Sequence, residues 1–557
     1  MSTRLRRQAL NRYALLPRPS ARLPRGRFLR VEALEERRLL TASFEPALGL
    51  PGAIHGDVAW GDVDNDGRLD VVIAGLTQFE DKTEGAALIY RGQIDEEGAV
   101  SFERLSMELP QMESAAVALA DFDNDGRVDL ILSGMSSGGP TTKIYRNEGA
   151  GDFSSVSTGL PALENSAIAC ADYDLDGRID ILLSGVDSND SPITRLYRNE
   201  GDFSFRDIGA SLIGVESGSL AWGDYDQDGL PDILVAGTTG SNNGIATVYH
   251  NRGNGGFVAM AADLPGIQQG SAAWGDYDQD GLPDILLAGT VGDTPMTAVY
   301  RNEGNGAFSE VDVSLTGVED GVGIWGDYDQ DGLLDIFVTG RASSDEFVAI
   351  LYHNDGDDTF TAESAEISGV INGTAAFADY DGDGRLDLLT TGQLDSDQAV
   401  YSTVFWQNTA NNVGYTRLAA PAAMAVQVLS DTSVLISWDV PLDADAETPL
   451  EGLTYSLRVG TETGGCDVVS PLADADGFRM VAEQGPIGTN RWILEGLTPG
   501  QVYYCSVQAI DGDLVTSAFA DEGAFSLPVV TLTAPAESTT WTPTVTVTVT
   551  NPGMGVA

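Results

Sequence analysis

Trp274-Gly275-Asp276-Tyr277-Asp278-Gln279-Asp280-Gly281-Leu282-Pro283-Asp284-Ile285-Leu286-Leu287 is the stretch on which the reading of this chain turns. Its centre is Asp-x-Asp-x-Asp-Gly-x-x-Asp, and the string occurs seven times, opening at Asp62, Asp121, Asp172, Asp224, Asp276, Asp327 and Asp379. The intervals are 59, 51, 52, 52, 51 and 52 residues. Self-similarity at a period of about 20–50 residues marks solenoids, propellers or arrays. A period near the top of that range suits a four-stranded blade. The string names a ligand and the period names an architecture.

Calcium is a hard cation that takes about six to eight oxygens, and a short acidic loop bent at glycine supplies them. In the fifth copy Asp276, Asp278 and Asp280 take loop positions 1, 3 and 5, Gly281 allows the turn, the Leu282 carbonyl follows, and Asp284 closes the set. An EF-hand begins alike but closes on Glu at position 12 and runs into a helix. Here Val71-Val72-Ile73, Leu130-Ile131-Leu132 and Ile336-Phe337-Val338 follow, which are buried strands. The motif is therefore a calcium loop within a β-hairpin. An Asx-turn that binds nothing is the competing explanation, but turns do not require four carboxylates in every copy. Crowded carboxylates repel unless a cation lies among them. The expected calcium ligands are Asp62, Asp64, Asp66 and Asp70; Asp121, Asp123, Asp125 and Asp129; Asp172, Asp174, Asp176 and Asp180; Asp224, Asp226, Asp228 and Asp232; Asp276, Asp278, Asp280 and Asp284; Asp327, Asp329, Asp331 and Asp335; and Asp379, Asp381, Asp383 and Asp387.

Around each loop the unit reads as four short strands, with a Gly-rich turn between the third and fourth. Trp60, Leu119, Cys170, Trp222, Trp274, Trp325 and Phe377 share one position, expected to be core, so Cys170 reads as a small hydrophobe and not a catalytic thiol. His250 and His353 stand where other units carry Arg146, Arg198 and Arg301, as variants of a Tyr-Arg-Asn strand end. The outer-strand aromatic recurs eight times, at Phe44, Phe102, Phe153, Phe203, Phe257, Phe308, Phe360 and Tyr415, one more than the loops. Phe44-Glu45-Pro46 is therefore expected to complete the sheet that holds Asp379, which removes a raw edge. The recurrence of Trp-Gly-Asp-Tyr-Asp-x-Asp-Gly-x-x-Asp-Ile and Tyr-Arg-Asn-Glu-Gly resembles the FG-GAP/VCBS repeats of integrin α-like propellers over about residues 43–418. The resemblance implies a seven-bladed β-propeller, with calcium on one face and partners docking on the other.

The chain carries 84 acidic against 30 basic residues, a net charge of −54. Residues 1–42 hold 11 Arg and three Glu, a local +8, which leaves −62 on the rest. Such a surface repels phosphate backbones, so a nucleic-acid partner is excluded. The basic head lacks the apolar stretch of a signal peptide. It resembles the LEPR-XLL type of segment on large exported bacterial proteins, with Glu36 where that name has Pro, and is expected to be disordered. No run of 18 apolar residues occurs, so a transmembrane segment is not expected. Loops of moderate affinity fill where calcium is millimolar, which favours an extracellular or cell-surface location.

Beyond Asn408 the pattern changes. Val434-Leu435-Ile436-Ser437-Trp438, Leu497-Thr498-Pro499-Gly500 and Tyr503 resemble a fibronectin type III domain over 419–527, with Trp438 in the core and Tyr503 as its tyrosine corner. Cys466 and Cys505 are read either as a disulfide or as two free thiols. Joined by a linker, this domain is expected to melt independently of calcium. Residues 528–557 read as the opening strands of a further Ig-like sandwich, cut short. The expected function is an extracellular calcium-binding adhesion or scaffolding protein, non-enzymatic, whose variable loops meet a protein or polysaccharide. The alternative is a secreted polysaccharide lyase or hydrolase on the same scaffold.

Overall fold

The computed structural model describes residues 44–533, apart from 80–81, 96–97, 242, 345, 364, 395–399, 411–416, 442–452 and 513, together with the strand Thr546–Thr550. The basic head and Tyr415 lie outside the described residues. Every regular element among them is a β-strand. No helix of the described residues is long and apolar enough to cross a membrane.

The fifth unit shows how the repeat folds. Gln268–Gly275, Asp284–Val291, Thr294–Asn302 and Phe308–Glu310 pair antiparallel in chain order. Six units are built this way from consecutive strands. The second strand is sandwiched on both faces, which is why it reads as an unbroken apolar run. Its alternate residues feed two different cores. Ile285 and Leu287 pack with Leu234 and Val248 of the unit before, whereas Leu286 and Ala288 pack with Trp325 and Ile336 of the unit after. A period of two in the strand thus becomes adhesion to two neighbours. Each first strand carries a bulge near its start, between Gln268 and Ser271 in unit 5. There Gly270 lies so close to the Ala288 carbonyl and Gly289 Cα that a Cβ would clash with backbone, so glycine is required.

The first strands touch in a circuit. Ala53–Gly61, Met112–Ala120, Glu164–Ala171, Glu216–Gly223, Gln268–Gly275, Val318–Gly326 and Ile371–Ala378 each contact the next, and the last contacts the first. The seventh unit takes its outer strand from the other end of the described chain. Phe44–Pro51 pairs with Tyr401–Asn408, Phe44 opposite Asn408, as the surplus aromatic suggested. Phe405 and Leu389 of that unit share a core with Trp60, Val71 and Ile73 of the first. Two positions differ from expectation. In unit 3 the outer-strand aromatic is Phe205, paired with Asn199 at the same spacing as Phe257 with Asn251 and Phe308 with Asn302, while Phe203 lies in the preceding turn. Among the seven equivalents, Trp60, Trp325 and Phe377 are buried, but Leu119, Cys170, Trp222 and Trp274 are only partly so.

After the repeats come two three-stranded sheets, one of Ala422–Val428, Val434–Asp439 and Arg491–Leu494, the other of Thr454–Gly460, Val502–Ile510 and Gly523–Ser526. Trp438 meets Tyr455 edge-on at 5.2 Å between them. The Tyr503 hydroxyl accepts a 2.8 Å hydrogen bond from the Thr498 amide, the bond a tyrosine corner makes. Cys466 and Cys505 are both free thiols. Val529–Thr533 and Thr546–Thr550 form a two-stranded ladder. This sandwich is not an independent appendage. The Asp276 amide donates to Gly512 O and the Asp379 amide to Met480 O at 2.8 Å, so the sandwich sits directly on the acidic loops.

Candidate metal sites on the repeated hairpins

Each loop is first folded by its own carboxylates. In unit 5, Asp276 Oδ1 accepts from the Asp280 amide at 3.1 Å and Oδ2 from the Gly281 amide at 2.7 Å. Asp280 Oδ1 accepts from the Leu282 amide at 3.0 Å. Asp284 Oδ2 caps the Tyr277 amide at 3.2 Å, and its Oδ1 takes the Asn302 amide of the third strand at 2.7 Å. The loop turns at two left-handed positions, Gln279 (φ 57°) and Gly281 (φ 85°). Only the glycine was legible as a turn residue. The variable position before it is left-handed in every unit, filled by Asn65, Asn124, Leu175, Gln227, Gln279, Gln330 and Gly382.

These bonds leave one carboxylate without a task. Asp64, Asp123, Asp174, Asp278 and Asp329 each hold a buried Oδ1 that accepts no hydrogen bond. Buried oxygens are satisfied unless something else takes that role. In units 1, 2, 3 and 5 the Asp side chains of one hairpin, with such an orphan oxygen among them, fit a divalent cation of oxygen-only chemistry. The structure brings three of the sequence-predicted Asp of a loop together in Asp62, Asp64 and Asp66, in Asp121, Asp123 and Asp129, and in Asp172, Asp174 and Asp180, with ligand atoms within 4.8 Å of one another. In units 4 and 6 the set is two Asp with a His, Asp226 and Asp228 with His250 and Asp329 and Asp335 with His353.

The third strand answers each loop with one cationic or amide side chain. Arg91 reaches Asp64 at 3.2 Å, Arg146 reaches Asp123 at 2.7 Å, Arg198 reaches Asp174 at 2.6 Å and Arg301 reaches Asp278 at 2.7 Å. In unit 7 it is Gln407, whose amide donates to Asp381 at 2.5 Å. Units 4 and 6 use His250 and His353. The equivalence of His and Arg seen in the sequence is therefore an equivalence of contact with the acidic loop. One cation does not balance four carboxylates. Burial pushes Asp70, Asp129, Asp180, Asp232 and Asp276 up to about 8, and Asp284 and Asp387 to about 9, with neighbouring Asp groups adding to the rise. Without metal these carboxyls resist ionisation.

The Asn that follows is the residue whose role the sequence did not disclose. Asn302 is 1% exposed, and its Nδ2 donates to Pro283 O in its own loop and, at 2.7 Å, to Tyr225 O in the loop of unit 4. Asn147, Asn199, Asn251, Asn354 and Asn408 make the same cross-unit bond. The recurring Tyr-Arg-Asn was the available signal. Unit 1 has Gly92 there, and its junction with unit 7 is held by Thr391 Oγ1 on Ala53 O at 2.9 Å and by the Tyr401 amide on Gln78. Asn302→Ala should cost about 3 kcal/mol, because it strands two carbonyls in a buried site; denaturant midpoints at saturating calcium measure it. Asp278→Ala should do less, about 1 kcal/mol, since that side chain organises no loop amide and Arg301 retains Asp358. Its effect should appear as one calcium equivalent lost by titration.

Between the first strands and the sandwich lies a chamber of about 590 Å³, walled by Leu119, Cys170, Trp222 and Trp274 below and Leu457, Val469 and Ile487 above. Burial pushes the Cys170 thiol up to about 12, which suits a wall residue and not a nucleophile.

Comparison with known proteins supports the repeat. A model of the FG-GAP-like repeat matches residues 121–183, 172–235, 224–287, 276–338 and 327–390. Cartilage acidic protein 1 of Mus musculus is 25% identical over 389 residues, covering 61% of this chain and 57% of its own. T-cell immunomodulatory protein of Rattus norvegicus is 24% identical over 364 residues, 57% of each chain. This chain therefore spans 57% of the length of these relatives. A solved fibronectin type III domain, the sixth of human fibronectin type III domain containing protein 3, aligns at 22% identity over 22% of this chain and 97% of that one, with a TM-score of 0.15. Residues 121–390 thus match five copies of the FG-GAP-like repeat, within a unit that the structure lays down seven times.

Proposed function

We propose that this chain is an extracellular calcium-binding adhesion or scaffolding protein, non-enzymatic, built as a seven-bladed β-propeller with a fibronectin type III module seated on its metal face. The observation that carries the reading is the set of seven hairpins, each carrying four Asp, with a buried carboxylate oxygen left unbonded in six of them. Asp62, Asp64, Asp66 and Asp70, and the equivalent four in each other hairpin, hold the ion. Bound calcium supplies the positive charge that lets these carboxylates ionise and fixes the loops between first and second strands. The relatives' names, a cartilage protein and an immunomodulatory protein, favour a role outside the cell.

The sandwich covers part of the loop face, which leaves the opposite face for a partner. There the second-to-third strand hairpins differ in every unit, for example Ser136-Ser137-Gly138-Gly139 against Val291-Gly292-Asp293-Thr294. Variation on a rigid repeated scaffold is the usual arrangement of a recognition surface. A protein or polysaccharide meets this face. Screening glycan and protein arrays with calcium and with chelator tests the reading, with a calcium-dependent ligand lost on exchanging these hairpins as the expected result. Turnover of a polysaccharide would overturn it.

A further inference from the structure

The sixth loop has a donor set unlike the Arg-bearing ones. Its third-strand residue is His353, on Phe347–Gly356, with Nδ1 3.6 Å from Asp329 Oδ2 and 3.2 Å from Asp335 Oδ1. Asp329 is 1% exposed and Asp335 fully buried. In units 1, 2, 3 and 5 an Arg takes the outer oxygen of the second Asp, and in unit 7 Gln407 does so. In unit 6 neither oxygen of Asp329 accepts a hydrogen bond, although the side chain is buried. One ligand atom each from Asp329, Asp335 and His353 fall within 4.8 Å of one another. The imidazole is held edge-on against the Tyr328 ring, 6.4 Å between centroids, so its aim is set by packing.

Arg presents only donors and cannot ligate a metal. Imidazole nitrogen in its neutral form is a metal ligand, and it suits the zinc-class ions, whereas calcium takes oxygen. A buried carboxylate with both oxygens unspent, a second carboxylate anchored by the Asn354 amide at 2.8 Å and the Tyr328 amide at 3.2 Å, and one imidazole make a mixed N/O set. Unit 4 has His250 as well, but Asp226 there is 32% exposed and the set is open to water. We propose that the sixth loop is a site for a divalent transition metal of the zinc class, with Asp329, Asp335 and His353 as ligands, set among calcium loops. This rests on the reading of the hairpins as metal sites, and it differs from that reading in the chemistry of the ion.

The test uses the full chain in millimolar calcium, titrated with zinc by calorimetry and with cobalt(II) by visible absorption. His353→Gln and His353→Arg are the variants, each already the natural residue at this position in other units, so both fold. The expected result is one zinc equivalent whose affinity falls at least tenfold in both variants, and a cobalt band that is lost with it. Unchanged zinc binding and cobalt spectrum in both variants would overturn the proposal and leave His353 as a protonated counter-ion in place of Arg. Loss on His250→Gln but not on His353→Gln would overturn it too. If the chain took up no calcium but kept His353-dependent zinc, the calcium reading would fall and this one would stand.

Discussion

Calcium should raise the melting temperature of this chain by an amount that grows from pH 5 to pH 8. The sign follows from the buried carboxyls. Asp70, Asp129, Asp180, Asp232 and Asp276 titrate near 8 in the folded chain, by burial first, against about 3.9 in an unfolded one. A raised folded value means that the metal-free fold holds extra protons between those limits. Its stability is therefore fullest below about pH 4 and is lost as pH rises toward 8. Calcium binds the ionised form, so its contribution increases over the same window. At a hundredfold excess over Kd a bound ion adds about 2.7 kcal/mol per site, and several sites act on one circuit of strands. The sandwich should follow, against the expectation of independence, because Gly512 and Met480 accept hydrogen bonds from the loop amides of Asp276 and Asp379. Calorimetry at fixed free calcium from pH 5 to 8 measures this. A chelated chain that melts at the same temperature at pH 8 would sink the calcium assignment.

The largest single-residue loss is expected from Trp325→Ala, about 3–5 kcal/mol. Trp325 is 5% exposed and sits between units 5 and 6, stacked on Tyr277 at 6.3 Å and tilted against Phe360 at 6.4 Å. Its removal empties a junction core that also holds Leu286, Val299 and Ile336. Its indole nitrogen has no partner, so Trp325→Phe should recover most of the loss. Trp274→Ala should cost less than Trp325→Ala, because part of the Trp274 side chain faces the chamber. Urea unfolding of the three variants ranks them. Equal losses at Trp274 and Trp325 would show that the chamber wall is packed as tightly as the junctions.

The sequence by itself determined the unit, its strand order, its acidic loop and the closing strand. These are local or count-based properties. Asp and Gly at fixed offsets define a hairpin loop, period-two apolar runs define strands, and eight outer aromatics for seven loops point to Phe44. What only the tertiary structure decided are contacts between units and between domains. Asn302 reads as an unremarkable polar residue until Tyr225 O, 77 residues away, is placed beside it. Trp222, Trp274 and Trp325 are identical in pattern, yet two face a chamber and one a core, since what lies opposite each depends on the sandwich above. The sandwich itself gave no sign of its seat on the loops. Its contacts run through backbone groups such as Gly512 O and Ile493 O, which every residue carries and no side-chain pattern advertises.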